Sequence, residues 1–293
     1  MEKFQNLFCA VSLILYLLVL LFSFLIIFTV LSDKTLHEPM YTFIAYLLLN
    51  GIFGTSTFYP KLITDLLLAS KVISRIGCFI QIFAVTLFAY GEISTFTIMA
   101  YDTYLAVCHP LQYPTLMSNF VALKLIGGSL AINITSIFIG LLISATIPLC
   151  GSEIKNIYCD NLSILTLSCV ETSGIRLYGT INFSIYLSLA VSIVAYSYFK
   201  ILHICFKVSK DSCKKAIHTL VTHVVNFLIF MIGVLFIFVR YRLDNINLPL
   251  VFHLVLSVTG FVFPPLLSPL IYGLRTQMVK KKVINLLKNW THL

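Results

Sequence analysis

Seven stretches of the chain are apolar for about twenty residues or more, and short polar stretches separate them. They run over about 7–31, 40–68, 76–108, 122–147, 177–206, 215–239 and 248–273. Each is near the ~20 residues that a helix needs to cross the hydrocarbon core of a bilayer. Within lipid a helix satisfies its backbone internally, so each stretch predicts a membrane-spanning helix. The first stretch is too long for a signal-peptide core and has no clear small-residue cleavage site. It reads as the first span, acting as its own insertion signal. Beyond the seventh, Val279, Val283, Leu286, Leu287 and Trp290 recur at helical spacing with lysines between them. That pattern predicts a short amphipathic helix, about 275–290, lying on the inner leaflet. The fold class is therefore an all-α membrane protein, a single seven-helix bundle over residues 1–293.

Composition supports this reading. Of 293 residues, 59% are hydrophobic and 11% charged, against about 25% charged in a soluble domain. The net charge of +9 does not point to nucleic acid, because the basic residues fall in the gaps between apolar runs rather than on one face. With the N-terminus outside, the clusters at Lys207, Lys210, Lys214, Lys215 and at Lys280, Lys281, Lys282 become cytoplasmic, as the positive-inside rule prefers. Both clusters can also lie against anionic membrane lipids.

Cys78, Cys150, Cys159 and Cys169 then fall outside, where four cysteines suggest two disulfides and permit three pairings. The long outer loop, about 148–176, contains a candidate glycosylation sequon at Asn161. The sequon at Asn133 lies within a span and reads as chance.

A few polar residues stand inside the spans. Glu92 lies ten residues before Asp102, about 15 Å deeper along the same helix, and such a carboxyl group must face a bundle interior or wet cavity. It reads as a buried polar node. Thr103 shares its face, and Asp102 is turned about 100° from it. His223 and Asn226 form a second inward pair, and Pro264, Pro265 and Pro269 weaken the seventh span into a candidate hinge. No spacing of Cys and His suggests a metal, no cofactor motif occurs, and no nucleophile elbow or paired catalytic carboxylates point to an enzyme.

Several stretches, in order, carry a family resemblance: "LHEPMY" (36–41), "MAYDTYLAVCHPLQY" (99–113), "SYFKIL" (197–202), "KAIHTLVTHV" (215–224) and "PLIYGLR" (269–275). Together they resemble the signatures of an odorant receptor of the rhodopsin-like G-protein-coupled class, the first in the form typical of fish receptors. The resemblance implies a small-molecule odorant bound between the outer halves of the helices and a stimulatory heterotrimeric G protein bound inside, signalling through cAMP. It implies a plasma-membrane location in sensory-neuron cilia. It also implies a Cys78–Cys159 disulfide that leaves Cys150 with Cys169, with Cys78–Cys169 as the competing pairing. Placed by the match, the ligand set is Thr86, Ala89, Tyr90, Asn182, Phe183, Tyr186, Met231, Val234, Phe238, Val258 and Phe261. No acid or base is among them, which implies a neutral or weakly polar ligand rather than an amine. The coupling and switch residues are Asp102, Thr103, Tyr104, Tyr198, His223, Pro269 and Tyr272.

The departures from the pattern bear on signalling. Thr103 stands where the family has Arg, Asn50-Gly51 where it has an acid facing Glu92, Phe22-Ser23 for Gly-Asn, Ser268 for Asn and Leu220 for Cys. Threonine cannot form the charged contacts of an arginine, so a resting lock must come from another pair, such as Asp102 with Tyr113 or a lysine. With the short segment before the first span, this raises a second reading, a degenerate copy that no longer signals. A channel or transporter is a third reading. It lacks the charge-lined path that ion passage needs, since Glu92 is the one deeply placed charge.

Overall fold

The computed structural model describes residues 2–68, 71–154, 156–205, 217, 221, 223–235, 263–273 and 278–284. Its long helices are α1 (Glu2–Ser32), α2 (Pro39–Leu67), α3 (Arg75–Cys108), α5 (Asn119–Ala145) and α7 (Ser173–Cys205). Shorter segments are α4 (Tyr113–Leu116), α6 (Asn161–Thr166), α8 (His223–Leu235), α9 (263–273) and α10 (278–284). The sixth span, the seventh and the tail helix are thus described in part. Phe238, Val258 and Phe261 lie outside the described residues.

Local chemistry sets the helix starts. Ser74 Oγ accepts from Gly77 N at 3.0 Å, Ser118 Oγ from Val121 N at 3.3 Å, and Asp160 Oδ1 from Ser163 N at 2.7 Å. Each satisfies one of the amide donors that a helix start leaves without an internal partner. Pro39 opens α2, where its missing N–H costs nothing. The helices extend a few residues past the apolar runs. α1 begins at Glu2 rather than near 7, and α7 at Ser173 rather than near 177, because backbone bonding continues into the interface where hydropathy falls.

Among the described residues four helices are long and apolar enough to cross a membrane: Gln5–Ser32, Arg75–Cys108, Asn119–Ala145 and Ser173–Cys205. α2 is as long, and it buries Tyr41, Asn50, Thr55 and Tyr59 inside the bundle. α3 is the central strut, packed against α2, α5 and α7. α5 buries a narrow stripe, Ala122, Ile126, Asn133, Ile137 and Ser144, while Phe120, Leu123, Ile132, Phe138 and Leu142 point outward. An apolar face of that extent suits lipid, not water.

The main core lies in the half of the bundle away from the disulfides. Phe43, Leu47, Ile93, Phe96, Met99, Phe227, Phe230 and Tyr272 meet there. A second cluster around Phe58, Tyr59, Leu62, Phe88 and Tyr158 fills the other half. α10 docks on the first core through Val279, which is fully buried, and Val283. Its Lys282 Nζ reaches Asp33 Oδ2 at 2.6 Å. Asp33 also takes Thr35 N and Oγ1 at 2.9 and 2.6 Å. The hydrogen bond from Lys282 first, then those from Thr35, hold its carboxyl down at about 2.

Candidate functional site

The disulfide-bearing end contains a cavity of about 260 Å³ between α3, α5, α7, α8 and the loop that carries α6. Cys78 is bonded to Cys159 and Cys150 to Cys169, with Cα separations of 5.3 and 5.2 Å. Together they seat the loop over the bundle. The backbone N–H of Cys159 donates to Gln81 Oε1 at 2.9 Å, a second tie between loop and α3 beside the Cys78–Cys159 bond.

Six of the residues expected from the sequence line this cavity: Thr86, Ala89, Tyr90, Asn182, Phe183 and Val234. Two others, Tyr186 and Met231, are not part of its lining. Tyr186 lies one turn deeper than Asn182. Its ring lies against Tyr90, with centroids 4.5 Å apart and the planes tilted by 35°, and its hydroxyl bonds Tyr90 O and Asn133 Oδ1, both at 3.1 Å. It therefore supports the floor from behind. Met231 is buried in the core, and the cavity face of α8 is given by Phe230, one residue back and turned by about 100°.

The sequence reading missed the loop side of the wall. Tyr158, Asp160 and Asn161 line it, with Ser136 and Gly140 from α5 and Arg176 from α7. A charged pair thus joins a lining expected to hold neither acid nor base. Asn161 is no free loop amide. Its Oδ1 takes the Ser144 hydroxyl at 2.7 Å, and Leu162 and Ser163 after it are buried.

Asn133 is the second omission. Its side chain is 1% exposed and joins three helices: Nδ2 donates to Ser94 Oγ at 3.3 Å, and Oδ1 accepts from Tyr186. A lone Asn in an apolar span was the available signal, since such a group is costly in lipid unless paired.

Below the cavity lies the polar node. Asn50 Nδ2 donates to Glu92 Oε1 at 2.9 Å and to Phe88 O at 3.0 Å. The residue standing in place of an acid thus faces Glu92 as a donor. Glu92 is 1% exposed, and its Oε2 has no hydrogen-bond partner among the described residues. Deeper still, His223 Nδ1 lies 3.0 Å from the Tyr272 hydroxyl, and Asn226 Nδ2 donates to Ser268 Oγ at 2.9 Å. These bonds join α8 to α9. Pro269 is buried beside them, and Tyr198 packs half-buried against the core.

At the far end of α3, the Tyr113 hydroxyl donates to Asp102 Oδ1 at 2.9 Å. Burial, then the Asp102 carboxylate, raises the Tyr113 hydroxyl well above its ordinary pKa, which keeps it a donor. The hydroxyl of Thr103 turns back on its own helix, to Met99 O at 2.8 Å. Tyr104 faces α7, its ring 5.9 Å from Tyr196 and its hydroxyl 3.2 Å from His109 Nε2. Among the described residues no cluster of His, Cys, Asp and Glu is arranged to hold a metal.

The olfactory receptor family pattern matches residues 8–290. Among similar proteins, olfactory receptor 6E1 of Mus musculus is 34% identical over 274 residues, 92% of this chain and 86% of its own. Olfactory receptor 52D1 of Homo sapiens is 32% identical over 284 residues, 96% of this chain and 87% of its own. Olfactory receptor 4B13 of Mus musculus is 34% identical over 269 residues, 92% and 87% respectively.

Proposed function

The chain belongs to the olfactory receptor family of multi-pass, non-enzymatic G-protein-coupled receptors, and we propose that its cavity binds a small odorant and that its opposite end engages a heterotrimeric G protein. One observation carries the reading: a largely apolar cavity, roofed by a disulfide-pinned loop, shares Phe88 with the buried Asn50–Glu92 node. Concave apolar sites with a few polar groups are what small ligands select, and the node is the route inward. The partner on the inner side is the stimulatory type that raises cAMP. The receptor sits in the plasma membrane of sensory cilia with its N-terminus outside, an orientation supported by the Lys and Arg bias. The chain is one seven-span domain, of the fish type by the form of residues 36–41. At the inner end, the Asp102–Tyr113 and His223–Tyr272 bonds serve as the resting lock.

The test is a cAMP reporter in cells that express the receptor with a stimulatory G protein, challenged with an odorant panel. Ala89→Phe, which places a ring in the cavity, abolishes responses without lowering surface expression. If it leaves them intact, the ligand binds elsewhere.

The inward-turned Thr103 hydroxyl favours a second reading, a receptor that binds odorant but couples weakly or not at all. Thr103→Arg distinguishes the two. A gain of signalling in a silent but surface-expressed parent locates the defect at residue 103.

A further inference from the structure

We propose that the guest of this cavity arrives sideways out of the bilayer, through a gap between α5 and α7 framed by Gly140 and Gly179, and is therefore an uncharged, lipophilic molecule. The inference rests on the reading of the cavity as the odorant site.

The side towards water is covered. Tyr158, Cys159, Asp160 and Leu165 form the roof of the cavity, and all four are buried. Cys159 is held to α3 by its disulfide and by Gln81. Asp160 spends both carboxylate oxygens inside the loop, on Ser163 N at 2.7 Å and Asn156 Nδ2 at 3.0 Å.

The side towards the bilayer is open. Of the described lining residues, Gly179 on α7 alone is exposed. Gly140 lines the same cavity from α5. A Cβ built on either glycine meets no described atom within 4 Å. Glycines in membrane helices commonly let two helices touch. These two leave space instead.

The gap has defined edges. Above, Asn161 is held by the Ser144 hydroxyl at 2.7 Å. Below, the Ser136 hydroxyl donates to Asn182 Oδ1 at 3.4 Å. Ser136 and Ser144 stand about one turn to either side of Gly140, so the edges are about 12 Å apart along α5. Gly140 is five residues from the end of α5, and Gly179 six from the start of α7. Both therefore lie about 8–9 Å in from the disulfide-bearing end. α5, with 27 residues, is about 40 Å long and overhangs a hydrocarbon core of about 30 Å by about 5 Å at each end. The gap thus opens among the acyl chains of the outer leaflet. Ile139 and Ile181, beside the two glycines, face outward there. A molecule dissolved in that leaflet meets the opening directly, whereas a charged one is kept out of hydrocarbon by the cost of leaving water.

The experiment times access to the far wall of the cavity. It uses the full-length receptor in phosphatidylcholine nanodiscs, carrying Cys9→Ser, Cys108→Ser, Cys205→Ser and Cys213→Ser together with Ala89→Cys as the reporter. The probes are methyl methanethiosulfonate, which is small and neutral, and its trimethylammonium-ethyl analogue, each referred to its rate with free cysteine. The neutral reagent labels the reporter at least about tenfold faster than the charged one. Gly179→Leu slows the neutral reagent by about tenfold or more without lowering the melting temperature. Gly174→Leu, on the same helix, at a site equally open but outside the lining, leaves the rate unchanged. A Gly179→Leu variant that is folded and labels at the parental rate would overturn the proposal. So would a charged reagent as fast as the neutral one, a comparison that needs no variant at residue 179 and that places the mouth in water beside Arg176. Labelling by neither reagent overturns it too. Each of these results leaves the odorant reading standing, because Ala89→Phe tests that reading through responses rather than access.

Discussion

One methyl group added at Gly91 should break the polar contact that holds α2 to α3. A Cβ there would meet Asn50 Oδ1 at 2.5 Å and its Cγ at 2.9 Å. Asn50 is itself enclosed, 8% exposed between α2 and α3. To make room it must swing away, and it then loses its bonds to Glu92 Oε1 and Phe88 O. Leaving Glu92 Oε1 and the buried Asn50 NH2 group without partners costs about 1–3 kcal/mol each, while Phe88 O keeps its intrahelical bond. The gain from replacing a mid-helix glycine with alanine is about 1 kcal/mol. Gly91→Ala is therefore destabilising by about 1–5 kcal/mol, centred near 3. At about 2–4 °C per kcal/mol, the apparent Tm falls by roughly 6–12 °C. The control is Gly128→Ala on α5, where a Cβ meets nothing within 4 Å. It leaves the protein unchanged or slightly more stable. The assay is thermal unfolding of both variants in one detergent, followed by cysteine-reactive dye or light scattering. If Gly91→Ala melts with Gly128→Ala, the Asn50–Glu92 contact does not hold α2 to α3 as argued.

Four further outcomes follow from the same geometry. Tyr186→Phe and Asn133→Ala each lower stability by about 1–3 kcal/mol, and the double variant loses less than their sum because the two share a bond, a cycle read by thermal unfolding. Removing the Cys78–Cys159 disulfide, which spans 81 residues, costs about 4–5 kcal/mol against about 3 for Cys150–Cys169, which spans 19; the two melting curves should rank in that order. Asp33 has a depressed pKa, so the contribution of its bond to Lys282 is complete above its ordinary value near 4 and is lost as pH falls through about 2. Hydrogen exchange of 278–284 should thus be flat between pH 5 and 8, once corrected for intrinsic rates, and faster at any pH in Asp33→Asn. Gly54→Ala drives a Cβ to 2.3 Å from the enclosed Phe88 ring and costs about 1–3 kcal/mol by overpacking, measured as a loss of folded receptor at the cell surface.

How far the sequence could be read depends on what each feature needed. The helices over the first five apolar runs were legible because hydropathy and length are local properties, and the described helical turns at 278–284 because Val279 and Val283 carry their spacing. The inward face of α3 was legible too: Glu92, Phe96, Met99 and Thr103 are all buried as the helical period requires. The departure at Asn50 was visible, but not that its NH2 group would point at Glu92. Asn133 was read as a chance sequon, because its partners Ser94 and Tyr186 lie 39 and 53 residues away. The loop wall of the cavity escaped for the same reason. Asp160 and Ser163 form a capping pattern that could have announced α6, yet only the folded loop brings Asn161 to Ser144. Met231 and Phe230 differ by one helical step, which lies within the error of placing a helix face from sequence alone.

Phe88 ties the two ends of this account together. Its ring fills the notch left by Gly54, meets Phe230 edge-on at 6.4 Å and walls the cavity, while its carbonyl holds Asn50. Guest and scaffold therefore compete for one ring. A molecule small enough to leave Phe88 in its notch occupies the cavity without disturbing α2. A slightly bulkier one must displace the ring towards Phe230 on α8. With the cavity as the proposed odorant site, occupancy and efficacy would be separable by bulk, and a homologous series of guests would pass from silent blockers to activators at a defined size.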